Sequence, residues 1–169
     1  EAGASICIDS SGGLYVCGMW GGDELSQKSG IASTLQSHVY VAKFDTADGK
    51  TIWHKSTSGG GKDAGYGICA DKNGDIYVTG DFQGSISFGH ASLASRGSSD
   101  IFLVKIASDG KVLWAKRAGG DGLDAGTSVT IDKSGNPIIT GFYQQKAQFG
   151  DISILSAGYC DIFTAKYYP

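Results

Sequence analysis

The ten residues Asp71-Lys72-Asn73-Gly74-Asp75-Ile76-Tyr77-Val78-Thr79-Gly80 decide the fold. An Asp that caps its own turn and a Gly able to take a positive φ make a tight hairpin, and the β-branched and aromatic run that follows reads as a strand. The same grammar stands at Asp9-Ser10-Ser11-Gly12 before Leu14-Tyr15-Val16-Cys17-Gly18, and at Asp132-Lys133-Ser134-Gly135 before Ile138-Ile139-Thr140-Gly141. The three turn acids lie 62 and 61 residues apart, so the chain is a tandem repeat.

Working outward, each copy returns the same landmarks in order. Val39-Tyr40-Val41-Ala42-Lys43, Ile101-Phe102-Leu103-Val104-Lys105 and Ile162-Phe163-Thr164-Ala165-Lys166 fill one slot. Thr51-Ile52-Trp53-His54-Lys55 and Val112-Leu113-Trp114-Ala115-Lys116 fill another, after the turns Asp48-Gly49 and Asp109-Gly110; the third copy has no such run. We therefore divide the single segment 1–169 into copies 2–63, 64–124 and 125–169, each full copy predicting four antiparallel strands in series. The connection of some twenty residues between the second and third strands, such as Asp81 to Asp100, has room for a short extra strand pair. Runs as continuously apolar as Ile101 to Ile106 predict sheets covered on both faces. Small sheets repeated in tandem with both faces covered are the blades of a β-propeller, and the expectation is an all-β propeller arc of about three blades, the last incomplete. A twelve-stranded sandwich would leave the period of one small meander unexplained.

Composition narrows the function. The chain has 169 residues, 41% hydrophobic and 18% charged, with 27 glycines, enough apolar material for a core and too much for a disordered tail. Fourteen Lys and Arg against seventeen Asp and Glu, with no basic block, disfavour nucleic acid and anionic membranes as partners. No apolar run approaches the roughly 20 residues of a membrane helix.

The pattern Asp-x-x-Gly-x-x-Tyr-Val-x-Gly, Asp-Ile-Phe-x-x-Lys, Asp-Gly-x-x-x-Trp-x-Lys and Gly-Gly before the next Asp-Ala-Gly resembles the bacterial SBBP β-propeller repeat. It is clearest from Gly65 to Asp124. The first copy departs from it: Phe88-Gly89 and Phe149-Gly150 have no counterpart in Gly22 to Ser33, and His38 stands where Asp100 and Asp161 stand. The resemblance implies a propeller blade of secreted or surface-attached bacterial proteins and supplies no catalytic residue.

Signatures of chemistry are weak. There is no Gly-x-Ser-x-Gly, and His38, His54 and His90 occupy slots held elsewhere by Asp100, Ala115 and Asp151, so scattered histidines are expected rather than a triad. Cys7, Cys17, Cys69 and Cys160 form no metal-binding pattern and are expected to be free, mostly buried thiols. Gly119 to Asp124, Asp71 to Asp75 and Gly59 to Lys62 each carry part of a calcium- or phosphate-binding motif, and each is already explained as a connection or hairpin. The expectation is a chain with no catalytic residues, no metal site and no cofactor.

Two features recur instead. Lys43, Lys105 and Lys166 each end an apolar strand, while acids repeat as Glu1, Asp63 and Asp124 and again as Asp9, Asp71 and Asp132. One structural ion pair per blade is expected, with these three lysines as cations and Asp63 and Asp124 among the acids; the functional alternative is a charged ring at one mouth of the axis. Trp20, Phe82 and Tyr143 share a slot at the entrance of the variable connections Gly21 to Ser37, Gln83 to Ser99 and Gln144 to Cys160. Exposed, these rings could stack on a glycan in a lectin-like site; packed inward they are core.

Fewer than four blades do not close a ring. Partners are thus expected at the ends of the arc: the remaining blades of a longer parent, a protein partner, or copies of the chain completing a ring by symmetry. The leading functional expectation is a non-catalytic binding or scaffold module, and carbohydrate binding between blades is the alternative.

Overall fold

The computed structural model describes residues 2–21 and 36–168. Every regular element within them is a strand: β1 (Ala2–Ile8), β2 (Leu14–Gly21), β3 (Ser37–Phe44), β4 (Thr51–Ser56), β5 (Ser58–Gly59), β6 (Ala64–Ala70), β7 (Ile76–Phe82) and β8 (Ser85–Phe88), then β9 (Ala91–Ala94), β10 (Asp100–Ile106), β11 (Val112–Gly120), β12 (Ala125–Ile131), β13 (Pro137–Tyr143), β14 (Lys146–Phe149), β15 (Ile152–Leu155) and β16 (Asp161–Lys166). They build a three-blade arc that does not close. Blade 1 is the meander β1-β2-β3-β4, blade 2 runs β6-β7-β10-β11, and blade 3 runs β12-β13-β16. The innermost strands β1, β6 and β12 lie against one another, which places the axis of the arc beside them.

The repeated hairpins form for the reason their residues suggest. Asp9 Oδ1 accepts the amides of Ser11 and Gly13, Asp71 Oδ1 those of Asn73 and Asp75, and Asp132 Oδ1 those of Ser134 and Asn136. Gly12, Gly74 and Gly135 complete these turns at φ 89°, 78° and 84°, a region that other residues enter only with strain. Gly80 has a different reason: a Cβ there would lie 1.8 Å from the Ala64 carbonyl oxygen, because β6 and β7 approach closely at the bulge between Gly65 and Gly67.

The long connections do contain strand pairs, β8 with β9 and β14 with β15. These small hairpins stitch the blades together. The end of blade 1 crosses over as β5 and pairs Ser58 with Ser87 and Gly59 with Ile86; the end of β11 likewise pairs Gly119 with Gln148 and Gly120 with Ala147.

The core lies between blades and not inside them. One cluster sets Tyr15, Cys17, Val39 and Val41 of blade 1 against Ile68, Val78, Phe82, Phe102 and Val104 of blade 2. A second sets Tyr77, Ile101 and Leu103 of blade 2 against Val129, Ile139, Tyr143 and Phe163 of blade 3. Blade 2 is buried on both faces, as the continuous apolar run of β10 requires.

Phe102 is fully buried and packs on Phe88 with ring centroids 5.2 Å apart. Phe102→Ala is expected to lower unfolding stability by ~3–5 kcal/mol in urea titrations, whereas truncating the outward-facing Ile162 should shift it by less than ~0.5 kcal/mol.

Candidate functional site

The two sets of repeated acids have separate duties. Lys43 pairs with Asp9 at 3.8 Å, Lys105 with Asp71 and Asp75 at 3.1 Å each, and Lys166 with Asp132. The partners of the lysines are therefore the hairpin acids, and the pairing expected with Asp63 and Asp124 is corrected: those two stand at the junctions between blades. Glu1, the first member of their set, lies outside the described residues. Lysine and hairpin acid meet because β2 and β3, or β7 and β10, are adjacent in the meander, with Tyr15 opposite Lys43 and Tyr77 opposite Lys105.

Each ammonium also lies over a tyrosine ring, Lys43 at 4.9 Å from Tyr15 and Lys105 at 5.1 Å from Tyr77. The Tyr15 hydroxyl is 3.0 Å from Asp9 Oδ2 and 3.1 Å from the Gly74 carbonyl oxygen of the next blade. The Tyr77 hydroxyl reaches the Gly135 carbonyl in the same way, at 3.5 Å. The Trp53 indole donates to the Ser108 carbonyl of blade 2 at 3.0 Å. Burial works to raise the Asp9 pKa, but hydrogen bonds from Ser11, Gly13 and Tyr15 outweigh it and hold the group at about 2. The network satisfies its charges internally and binds blade to blade; among the described residues it offers no free charged ring.

Asp63 and Asp124 are fully buried clasps. Ser37 donates its hydroxyl to the Asp63 carbonyl, Ser99 donates to the Asp124 carbonyl, and the carboxylates reach forward to the amides of Gln83 and Gln144 in the following blade. Asp124 also accepts the Gly120 amide at 2.6 Å. At Asp63 the second oxygen has no such bond among the described residues. Burial pushes the Asp63 carboxyl up to about 7, with nearby Asp81 adding to the shift, and burial raises Asp124 and Asp81 too. The Tyr66 and Ser99 hydroxyls work against the rise at Asp81, a group the sequence did not single out because neither Tyr66 nor Asp81 recurs in the other copies.

The aromatic slot faces between blades. Phe82 is fully buried in the first interblade cluster and Tyr143 is buried in the second, so neither ring has a face left for a sugar. Trp20 is half-buried on the corresponding face of blade 1, beside a hollow of 440 Å3 lined by Ala2, Val16 and Tyr40. The variable connection after it, residues 22–35, lies outside the described residues, as does most of the segment where the first copy departs from the repeat pattern. His54 and His90 are exposed and His38 is half-buried beside Trp20, 6.4 Å between ring centroids. Cys7 pairs with Tyr15 across the first hairpin. All four thiols are free, and Cys160 is exposed where burial was the general expectation.

What the positional comparison brings out is the pair of outer flanks. Ile6 is 67% exposed, whereas its equivalents Ile68 and Val129 are 6% and 7% exposed. Ile162 is 87% exposed, whereas its equivalent Ile101 is fully buried. Ile6 and Ile8 sit on the face that in blades 2 and 3 meets the preceding blade, and Ile162 on the face that in blade 2 meets the following one. The chain thus presents two complementary apolar surfaces, one at each end. Aligning the copies slot by slot would have found these residues, because the same position is apolar in all three.

Between pH 5 and 8 the Asp63 carboxyl loses its proton, at a cost to stability. A carboxyl with a folded pKa near 7 and an ordinary unfolded one near 4 favours the folded chain while protonated, and that contribution is lost as pH rises toward 7. The melting temperature should fall from pH 5 to 8, and Asp63→Asn, which keeps an acceptor for the Gln83 amide, should flatten the fall by a few degrees, on the order of 1 kcal/mol.

No family model matches the chain. It is 23% identical, over an alignment of 188 positions, to an uncharacterized WD repeat-containing protein of Acanthamoeba polyphaga mimivirus, with 96% of this chain aligned. The chain spans 13% of the length of that relative. The likeness agrees with a propeller-like repeat.

Proposed function

We propose that this chain is a protein-interaction module with no catalytic role, engaged at its two flanks by blade surfaces of its own kind. The observation that carries this reading is the change from buried to exposed at equivalent positions: Ile6 against Ile68 and Val129, and Ile162 against Ile101. The surface that fits each end exists within the chain itself, because the front of blade 2 already covers the back of blade 1, and the front of blade 3 the back of blade 2. Among the described residues no group of three or more His, Cys, Asp or Glu is arranged to hold a metal ion, and the buried acids are occupied as clasps. Among the described residues no helix is long and apolar enough to cross a membrane. A secreted or surface-attached bacterial setting, implied by the repeat it resembles, is part of the proposal, and the recurring architecture supports a structural use there.

The contact is heterologous, front to back, and this makes it testable with two variants. Sedimentation velocity should show concentration-dependent assembly of the chain. Ile6→Glu and Ile162→Glu should each sediment as monomers, and a mixture of the two should form a one-to-one dimer, since each retains the end the other has lost. A chain that stays monomeric at the highest attainable concentration would refute the reading.

A further inference from the structure

We propose that the hollow between blades 1 and 2 binds a small organic anion with an apolar body, such as a medium-chain carboxylate. The site lies between two complete four-stranded blades and at neither flank, so it goes beyond the reading above. Its volume is 340 Å3, at the lower end of the roughly 300–1,000 Å3 of small-ligand sites. Val39, Val41, Phe88 and Ile106, all buried, form an apolar floor. Three exposed basic side chains stand around it: Lys55 from β4, His90 from the turn between β8 and β9, and Lys111 from the turn between β10 and β11. A lining drawn from two strands of one blade and two turns of the next suits a short ligand better than an extended chain.

Comparison of the two blade junctions shows why space and charge are left here. The residues that fill the same slots between blades 2 and 3 are larger: Ile101 for Val39, Leu103 for Val41 and Tyr167 for Ile106. At that second junction Lys116, the counterpart of Lys55, lies over the Tyr167 ring at 5.9 Å. Lys55 has no such ring, and among the described residues neither Lys55, Lys111 nor His90 enters an ion pair. His90 itself stands where the second junction has Asp151. Asp109, the acid on the Lys111 turn, has its Oδ1 engaged by the Lys111 amide at 2.9 Å. Lys55 is paired across the sheet with Val41 and so shares its face, toward blade 2. Thr57, buried in the same lining, accepts the Val39 amide at 3.0 Å and donates its hydroxyl to no acceptor among the described residues. A carboxylate head therefore meets three bases and a spare hydroxyl donor, while its hydrocarbon body covers the floor.

The test titrates the whole 169-residue chain at neutral pH with octanoate, and in parallel with octylamine, reading amide chemical shifts by NMR. Octanoate is expected to move the signals of Lys55, Thr57, His90 and Lys111 saturably. Octylamine, with the same tail and the opposite charge, should bind at least about tenfold more weakly. That comparison leaves the protein unaltered, so misfolding cannot imitate a loss. The double variant Lys55→Gln with Lys111→Gln, at two exposed positions, should weaken octanoate about fivefold or more with the melting temperature unchanged. Absence of saturable shifts, equal binding of octylamine, shifts confined to the flanks around Ile6 and Ile162, or undiminished octanoate affinity in the double variant would overturn the proposal.

Discussion

A sheet of four short strands has two faces and no interior, so a blade of this size can bury apolar surface only against another blade. Everything else here depends on that constraint. Blade 2 meets it on both sides, and its strands β7 and β10 are buried almost throughout. Blades 1 and 3 meet it on one side, and their outward positions remain wet although their residues are as apolar as those buried in the middle. With roughly 25 cal/mol gained per Å2 of apolar area removed from water, interblade packing is the main cohesive term, and it is also what a partner at either end would supply.

Polar groups set how the blades meet. Apolar contact tolerates small slides, whereas a hydroxyl bonded to one particular carbonyl does not, and Tyr15 to Gly74, Tyr77 to Gly135 and Trp53 to Ser108 each tie one blade to a turn of the next. The hairpin acids serve twice, capping their own turn and neutralising the lysine of the third strand. The junction acids take the harsher position. Asp63 and Asp124 are buried with backbone amides for company, which explains both their tightness as clasps and the upward displacement of their proton equilibria. A partly unsatisfied buried carboxyl is a price a connection carries when it must turn the chain sharply from one blade into the next.

Much of the fold was legible. The hairpins followed from Asp and Gly at fixed offsets, the meander from four strand runs per copy, and the extra strand pair from the length of the connection. The fate of Phe82 and Tyr143 followed from a slot that is aromatic in every copy. The choice of acid for each lysine was not legible, because Asp63 and Asp9 recur with equal fidelity and only the adjacency of β2 with β3 brings one of them near Lys43. The exposure of Ile6, Ile8 and Ile162 was equally hidden at single positions, since an isoleucine reads as core wherever it stands.

The sequence by itself determined the repeat, the strand class and the turn chemistry, because these rest on interactions among residues close along the chain. Tertiary structure alone decided which acid meets which lysine and how deeply each repeated side chain is buried. Burial depends on what lies across the blade interface, about sixty residues away in the chain, whereas the charge pairing depends on which strands of one blade are neighbours and joins residues 34 apart.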